Sequence, residues 1–589
     1  MTSKFQVGTT SAVPASTYFE NIKTSKKLIF KSRRSPVLGT RGMVSSSQPL
    51  ASEAGMRVLQ QGGNAADAAV AMAAALNVTE PCSTGLGGDA FVLYYDASKH
   101  KVNCILGSGK SPAALRLDLV RARGHTERLP LFDALTVTVP GAAGAWTTLS
   151  QNFGRLPLAS VLAPAIELAE NGFPVSPLTA HHWEKGAPQL LQGGPHAGDL
   201  LLNGKAPRAG ELFKNVHLAN VLRRLGKSGA EGFYSGPVAR AVVEAVKGAG
   251  GVITEEDMRA HQTSIQEPIS TTYRGLRVWE VPPPTQGITA LMALNILQAS
   301  ACPSYTPNQE SPQVSPAQLH FRVESMRLAF ADALQYVADD QVSDVATRAL
   351  LSKSYAAERA ACINPRRASE VEAGRPVESS GGGDTVYFCA VDKDGNGCSM
   401  INSNYMGFGT GIVPAVCGFS LQNRGHNFSL DPAHPNCLAP LKRPYHTIIP
   451  GLCTFEGKEE GAGAGGGLAM CFGVMGAFMQ PQGHMQVLSN MLDLGMDPQA
   501  ALDAPRFKVD GVGDSASPAD VATSQVSLEE GFSADVVDEF EAFGHNVRWP
   551  VANHERELFG RGQIIARDPT TGVLWGGSDP RADGLAMGW

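Results

Sequence analysis

Long hydrophobic runs are missing from this 589-residue chain. A helix that crosses a bilayer needs about 20 apolar residues, whereas the nearest candidate, residues 65–76, is shorter and carries Asp67. The N-terminal stretch is rich in serine, threonine and lysine and has no apolar core of the kind that secretory signals contain. The sequence therefore predicts a cytoplasmic protein without a membrane segment, with a flexible tail over residues 1–36.

Strong net charge and a cysteine framework are missing too. The chain has 49 basic and 55 acidic residues, a net charge of −6, and its basic residues are dispersed, so no nucleic-acid-binding surface is indicated. Its ten cysteines form no C-x-x-C pair and no Cys/His cluster at zinc spacing. We therefore expect no metal site, no structural disulfide, a reducing compartment, and a small-molecule or peptide substrate.

Helix and strand patterns cover most of the chain, which at 43% hydrophobic residues is long enough for a large core. No internal repeat of about 20–50 residues is present. Residues 43–96 alternate between strand and helix patterns, which locally indicates an α/β arrangement. The predicted elements are strands over 43–46 and 91–95, helices over 49–61, 65–76, 164–171, 237–247, 318–337 and 481–494, a solvated linker over 356–383, short strands from 385 to about 472, and a glycine-rich loop over 461–467.

The most informative segment is residues 381–396. Three glycines lead into Asp384 and Thr385, where a β-branched and aromatic strand begins, and Asp394-Gly395 is a signal for a two-residue hairpin turn. One interpretation is a surface hairpin that follows a glycine loop. The other is self-cleavage between Asp384 and Thr385, which would expose the α-amine of Thr385, with a reference pKa of about 7.7–8.0, as the base for its own hydroxyl.

The predicted hairpin brings further polar residues to the threonine. With a two-residue turn, Val386 faces Ser403 and Thr385 faces Asn404, within a slip of one residue. Ser403 and Asn404 would then orient the Thr385 hydroxyl by hydrogen bonding.

A second group of residues lies further along the chain. Gly476 and Ala477 end a strand just before a predicted helix, so their backbone N–H groups are free to bind an oxyanion. An ordinary turn is the alternative interpretation.

These segments belong to a set of motifs that resembles the γ-glutamyltransferase (γ-glutamyltranspeptidase) family. The resemblance covers roughly residues 37–589, and the motifs occur in the same order as in the family. The matching segments are residues 44–55, 62–71 and 385–396, Gly85-Leu86-Gly87-Gly88, Phe408-Gly409-Thr410-Gly411, Lys442-Arg443-Pro444, Ala504-Pro505-Arg506-Phe507 and Ser578-Asp579-Pro580-Arg581.

The resemblance implies an α+β fold of the N-terminal-nucleophile (Ntn) hydrolase type, a four-layer αββα sandwich built by two subunits cut from one precursor. The subunits would be residues 37–384 and 385–589. By the same resemblance Thr385 is the nucleophile, Ser403 donates or accepts a hydrogen bond at its hydroxyl, and the amides of Gly476 and Ala477 form the oxyanion hole. This chemistry requires no metal and no organic cofactor.

The substrate pocket departs from the family pattern. Ser108 stands where γ-glutamyl enzymes have an arginine for the substrate α-carboxylate, and Asn427 replaces the aspartate that binds the α-amine. Tyr405 replaces an asparagine, and His446 with Thr447 replaces paired serines. Neutral groups cannot supply the charge-assisted contacts that an amino-acid head group needs. The pattern is similar to the branch of the family that contains oxamate amidohydrolase.

In that branch Arg424 and His446 are the expected anchors for a substrate carboxylate. The polar pocket candidates are Tyr405, Gln422 and Gln482. The alternative interpretations are a surface hairpin arginine for Arg424, a core histidine for His446, and a solvated basic pair for Lys442-Arg443.

Three functions therefore stay open at this point. The first is an amidohydrolase that acts on a small amide such as oxamate, and the second is a glutathione hydrolase or γ-glutamyl transferase. The third is an uncleaved, non-catalytic binding protein. The expected partners are a small-molecule amide or γ-glutamyl substrate and the two self-cleaved subunits themselves, without nucleic acid or membrane, and a homo-oligomer is left open.

Overall fold

The computed structural model describes residues 34–304, 313–343, 345–369, 371–374, 384–456, 466–511, 521 and 524–589, apart from the side chains of Asp384 and Thr385. Residues 1–33 of the predicted tail lie outside this part of the chain. So do residues 375–383 of the predicted linker and 461–465 of the predicted glycine-rich loop.

The described residues form nineteen strands. In chain order they are β1 (Val37–Gly39), β2 (Gly42–Ser46), β3 (Asp89–Asp96), β4 (Lys101–Gly107), β5 (Phe173–Pro174), β6 (Leu212–Phe213), β7 (Ser264–Gln266), β8 (Ile269–Tyr273), β9 (Leu276–Glu280), β10 (Asp384–Asp392), β11 (Gly397–Tyr405), β12 (Gly451–Phe455), β13 (Leu468–Met475), β14 (Phe507–Val509), β15 (Val526–Glu529), β16 (Val547–Val551), β17 (Arg561–Arg567), β18 (Leu574–Ser578) and β19 (Leu585–Gly588).

Two seven-stranded sheets carry the fold, and neighbouring strands in both are antiparallel. The first sheet has the order β1-β18-β17-β13-β12-β9-β8. The second has the order β19-β2-β10-β11-β3-β4-β7. A three-stranded sheet, β14-β15-β16, and the pair β5-β6 lie outside them.

Seventeen α-helices occur among the described residues. Their bounds are Pro49–Gln60, Ala65–Thr79, Leu117–Ala122, Ala142–Phe153, Leu158–Asn171, Pro177–Gln192, Val216–Ser228, Glu231–Tyr234, Gly236–Gly248, Glu255–Arg259, Gly287–Ala299, Pro316–Tyr336, Thr347–Leu350, Lys353–Ala360, Met479–Leu492, Pro498–Asp503 and Ala534–Ala542. Short 3₁₀ turns occur at Ala134–Thr136, Ala197–Leu200, Arg424–Asn427 and Asn553–Phe559. Within the described residues no helix is long and apolar enough to cross a membrane.

The positions of the buried side chains show that the molecule has four layers. Alternate residues of a strand point to opposite faces, and on β10 Tyr387, Cys389 and Val391 pack between the two sheets. Val386 and Phe388 point the other way, into a helix layer that includes the Ala65–Thr79 helix. A second helix layer, which contains the Gly287–Ala299, Pro316–Tyr336 and Met479–Leu492 helices, covers the outer face of the first sheet. The order of layers is therefore helices, sheet, sheet, helices.

The predicted α+β class is confirmed, whereas the local α/β interpretation of residues 43–96 is wrong. Strands β2 and β3 belong to one sheet, but the β10–β11 hairpin lies between them. Each neighbour along β2-β10-β11-β3 is antiparallel, so β2 and β3 also run in opposite directions. A hairpin from nearly 300 residues further along the chain could not be placed there from local patterns.

Several element boundaries differ from the sequence prediction. The helix predicted to start at Pro164 begins six residues earlier, at Leu158, and holds Pro164 in its interior. The Lys353–Ala360 helix occupies the start of the predicted linker. Elsewhere the alanine-rich helix is confirmed and buried along its whole length, with an Asn64–Asp67 capping box at its start.

The β10–β11 hairpin has a three-residue loop in place of the predicted two-residue turn. Asp392 N–H donates to the Asn396 carbonyl at 3.1 Å, and Gly395 adopts φ +85° inside the loop. The Asp392 carboxylate accepts from the Asp394 and Asn396 amides, which favours the longer loop. Val386 therefore faces Asn402, one residue from the predicted Ser403.

Candidate active site

The beginning of β10 places Thr385 beside the end of β11. Asp384 faces Tyr405, and an irregularity in register separates that pair from Val386. On the other side of β11, Ser403 faces Asp89, the first residue of β3. The side chain of Thr385 lies outside the described part of the chain, so its expected contacts with Ser403 and Asn404 stay predictions.

A glycine loop allows these strand ends to approach closely. Gly85–Gly88 precedes β3, and a Cβ atom on Gly88 would lie 2.0 Å from the Ser403 carbonyl oxygen. A Cβ atom on Gly87 would lie 2.0 Å from the Ser420 carbonyl oxygen. No residue with a side chain fits at either position without movement of the backbone.

Arg424 is the buried cation of the site. It begins the Arg424–Asn427 turn, is 0% exposed, and donates from its guanidinium to Ser403 Oγ at 3.1 Å and to Thr447 Oγ1 at 2.8 Å. The guanidinium carbon lies 4.4 Å from the centre of the Tyr405 ring, a cation–π contact. The interpretation of Arg424 as a surface residue is therefore wrong.

Asp89 is the carboxylate that faces this cation. Its Oδ1 accepts from the amides of Gly109 and Gly141 and from Gln422 Nε2, at 3.2, 3.0 and 3.0 Å. Complete burial raises the pKa of Asp89 from 3.8 to about 6, and the Arg424 charge and these hydrogen bonds act in the opposite direction. Sequence reasoning missed Asp89; its place directly after a glycine loop and at the start of a strand was the available signal.

His446 binds Asp89. Its Nε2–H donates to Asp89 Oδ2 at 3.0 Å, and its Nδ1 is 3.5 Å from the amide of Ile448. Burial, assisted by the Arg424 charge, holds the pKa of His446 well below 6.5. The ring is therefore neutral and buried against Phe91, as in the core-histidine interpretation.

The predicted oxyanion-hole residues lie at the turn from β13 into the Met479–Leu492 helix. Gly476 has φ +131° and Ala477 has φ +56°, so two successive residues turn the chain through left-handed backbone conformations. Within the described residues, neither amide donates a hydrogen bond to the protein. Both N–H groups are thus available to an anion, which supports the predicted role.

Gln286 links this turn to Arg424. Its Nε2 donates to the carbonyls of Thr447 and Ala477, at 2.6 and 2.8 Å. Thr447 Oγ1 accepts a hydrogen bond from Arg424, and Arg424 donates another to Ser403. The polar contacts therefore form one chain from β11 to the turn at Gly476 and Ala477, which we call the oxyanion turn. Sequence reasoning missed Gln286, and nothing in its local sequence pattern indicated this contact.

The other predicted pocket residues are all buried. Asn427 donates to the Tyr445 carbonyl at 3.0 Å, and Asn404 Nδ2 donates to Ser420 Oγ at 3.2 Å. Asn404 Oδ1 and Ser108 Oγ have no hydrogen-bond partner among the described residues. Buried polar atoms of this kind need a ligand or water as a partner.

The structure changes the interpretation of the Lys442-Arg443 pair and of Gln482. Lys442 and Arg443 are only 7% and 6% exposed, so the interpretation as a solvated pair is wrong. Arg443 Nη1 lies 3.8 Å from Asp339 Oδ1, and Arg443 Nε donates to the Ser108 carbonyl at 3.4 Å. Gln482 exchanges hydrogen bonds with the backbone of Val509. Its side chain therefore fastens the Met479–Leu492 helix to β14, and we do not assign Gln482 to the substrate pocket.

One group of metal-type ligands occurs in the described part of the chain, in the helix layer over the first sheet. It consists of His320, Glu324 and His545. The two rings are 2.8 Å apart, nitrogen to nitrogen, and Glu324 pairs with Arg327 at 3.1 Å. A histidine–histidine hydrogen bond and an ion pair explain this geometry.

Known proteins resemble this chain along most of its length. The glutathione hydrolase-like YwrD proenzyme of Bacillus subtilis is 36% identical over 564 residues, covering 94% of this chain and 99% of the relative. The oxamate amidohydrolase proenzyme of Klebsiella pneumoniae is 32% identical over 556 residues, covering 94% and 99%. The solved structure of cephalosporin acylase from Bacillus halodurans superimposes with a TM-score of 0.83 at 42% identity, covering 96% of this chain and 98% of that one.

The four layers and these neighbours define the class as an Ntn hydrolase with the αββα fold. Residues 51–589 match the family model described as gamma-glutamyltranspeptidase. The chain belongs to the gamma-glutamyltranspeptidase family and is an enzyme of that family, which confirms the resemblance found in the sequence.

Proposed function

We propose that the protein is a self-processing amidohydrolase with Thr385 as its N-terminal nucleophile. The single observation that carries this proposal is the arrangement at the start of β10, where Thr385 lies opposite the β11 segment that holds Ser403. Ser403 is in turn hydrogen-bonded to the buried Arg424. The names of the relatives as proenzymes support cleavage of the chain.

The proposed reaction has two steps. Thr385 Oγ1 attacks the amide carbon while the Thr385 amine takes its proton, and the Gly476 and Ala477 amides bind the oxyanion. Collapse breaks the C–N bond, the leaving amine receives the proton, and an ester on Thr385 forms. Water then hydrolyses the ester and releases the acid.

A small amide with one carboxylate is the proposed substrate, and oxamate is the representative. Arg424 is a buried cation in the site, and two of its hydrogen-bond partners, Ser403 and Thr447, are neutral. The Ser108 hydroxyl is buried and has no hydrogen-bond partner among the described residues. His446 is neutral and held by Asp89, so we assign the carboxylate to Arg424 rather than to His446. Hydrolysis of oxamate would yield oxalate and ammonia.

Two other substrate classes compete with this one. Glutathione and other γ-glutamyl compounds follow from the family and from the YwrD relative, but Ser108 and Asn427 offer no charge to their amino-acid head group. An acylated cephalosporin is favoured by the 42% identity to the cephalosporin acylase. The uncleaved binding protein is the remaining alternative.

The test is kcat/KM for oxamate, a γ-glutamyl anilide and an acylated cephalosporin on one processed preparation. We expect oxamate to be preferred over the γ-glutamyl anilide by about one to two decades for each lost charge-assisted contact, at about 1.5–3 kcal/mol each. A preference for either of the other compounds reassigns the substrate. No turnover of any of them by cleaved protein counts against the amidohydrolase.

The carboxylate anchor is tested with Arg424→Gln, which keeps a donor but removes the charge. Turnover of oxamate should fall about tenfold to a hundredfold in kcat/KM, whereas neutral oxamide should be affected much less. Arg322→Gln is the matched control, because Arg322 is a buried arginine bonded to Asn490 outside the site. Equal losses for oxamate and oxamide would reject Arg424 as the anchor.

The cytoplasmic location stays a prediction. All ten cysteines are unpaired and seven of them are buried, which fits a reducing compartment. Cell fractionation tests it directly, and recovery of the protein outside the cytoplasm would reject it.

A further inference from the structure

Gln286 connects two separate segments at the candidate site. Its side chain is 0% exposed, and its backbone amide donates to the His446 carbonyl at 3.0 Å. Its Nε2 donates to the carbonyl oxygens of Thr447 and Ala477. Carbonyl oxygens only accept hydrogen bonds, so these two partners fix which end of the side-chain amide faces them.

The contact with Ala477 falls on the oxyanion turn. A non-glycine residue at φ +56° is in a conformation that persists only when its surroundings hold it. Among the described residues the Ala477 carbonyl accepts from Gln286 and, at 3.2 Å, from the amide of Gln480. The Gln480 contact is local, because Gln480 belongs to the helix that follows the turn. The hydrogen bond from Gln286 is therefore the one of these two that fastens the turn to the rest of the site.

We infer that Gln286 is the positioning residue of the oxyanion hole. This inference rests on the proposed function. Gln286 holds the Ala477 peptide so that the Gly476 and Ala477 amides face the place where the oxyanion forms, and it does not itself touch the reacting atoms. Gln286 precedes the proposed cleavage point and both carbonyl partners of its side chain follow it, so the hole is complete only while the two fragments stay associated.

The test uses Gln286→Met, which keeps the length of the side chain and removes both donors. The processed variant should lose about tenfold to a hundredfold in kcat and in kcat/KM for oxamate, with KM within about twofold of the wild type, because the lost interaction acts in the transition state. Gln499→Met is the matched control, since Gln499 is a buried glutamine that bonds the backbone of Ser578. It should leave kcat unchanged.

Wild-type kcat in Gln286→Met, or a loss confined to KM, would overturn the inference. An inactive wild type would instead count against the proposed function. If Gln286→Met does not fold, Gln286→Glu gives a second test, because a protonated carboxyl donates to one carbonyl and a carboxylate to neither. Its kcat, relative to the wild type, should fall as pH rises; an unchanged ratio would reject the positioning role.

Discussion

At the scale of single residues, the site depends on a buried charge balance between Arg424 and Asp89. Asp89 is fully buried, faces Arg424 and the neutral His446, and is near the Tyr234 hydroxyl. A buried arginine without a nearby carboxylate would lack compensation for its charge, and Asp89 supplies a counterion to Arg424. A bound substrate carboxylate would share the same cation.

The pKa of Asp89 leads to a pH-dependent prediction. Its pKa is about 6 in the folded protein against 3.8 for an ordinary aspartate, so Asp89 stabilises the fold below pH about 4 and loses this contribution as pH rises through about 6. The melting temperature of the parent relative to Asp89→Asn should therefore be higher at pH 4.5 than at pH 6.5, roughly the ends of this window. Both proteins carry Thr385→Ala, so that each is one uncut chain. An identical difference at the two pH values would contradict the raised pKa.

At the scale of elements, the glycine loop before β3 determines how closely β11 approaches. Gly88→Ala would place a Cβ atom 2.0 Å from the Ser403 carbonyl and displace the end of β11. We expect slower or incomplete cleavage after Asp384 and a loss of turnover, seen as residual full-length chain on a denaturing gel. Gly198→Ala is the control, because a Cβ atom there meets no heavy atom within 4 Å. Equal processing of the two variants would contradict this role of the loop.

Elements with a clear local pattern could be predicted from the sequence, and long-range placements could not. The alanine-rich helix has a uniform apolar composition, so its start at residue 65 could be predicted, and the capping box in the structure agrees with that start. The predicted hairpin loop was one residue too short, because the Asp392 side chain stabilises a longer loop. The resemblance to the family indicated Arg424, but its burial against Tyr405 and the pairing of Asp89 with His446 depend on segments far apart in sequence.

At the scale of the whole molecule, the proposed cleavage point lies within a shared core. Strand β10 begins the smaller fragment and pairs with β2 of the larger fragment, and β3 of the larger fragment pairs with β11. Cores on both faces of this sheet combine residues from the two fragments. Separation would expose these apolar surfaces to water, so the cleaved fragments should stay together under native conditions.

The intact mass of the purified wild type and of Thr385→Ala under denaturing conditions tests the central claim most directly. In proportion to 384 and 205 of 589 residues, the 62.0 kDa chain should give fragments of about 40 and about 22 kDa, the smaller one beginning at Thr385. Thr385→Ala should give one inactive full-length chain, because processing and turnover use the same hydroxyl. A full-length wild type that turns over its substrate, or a Thr385→Ala variant that does so, would contradict the account.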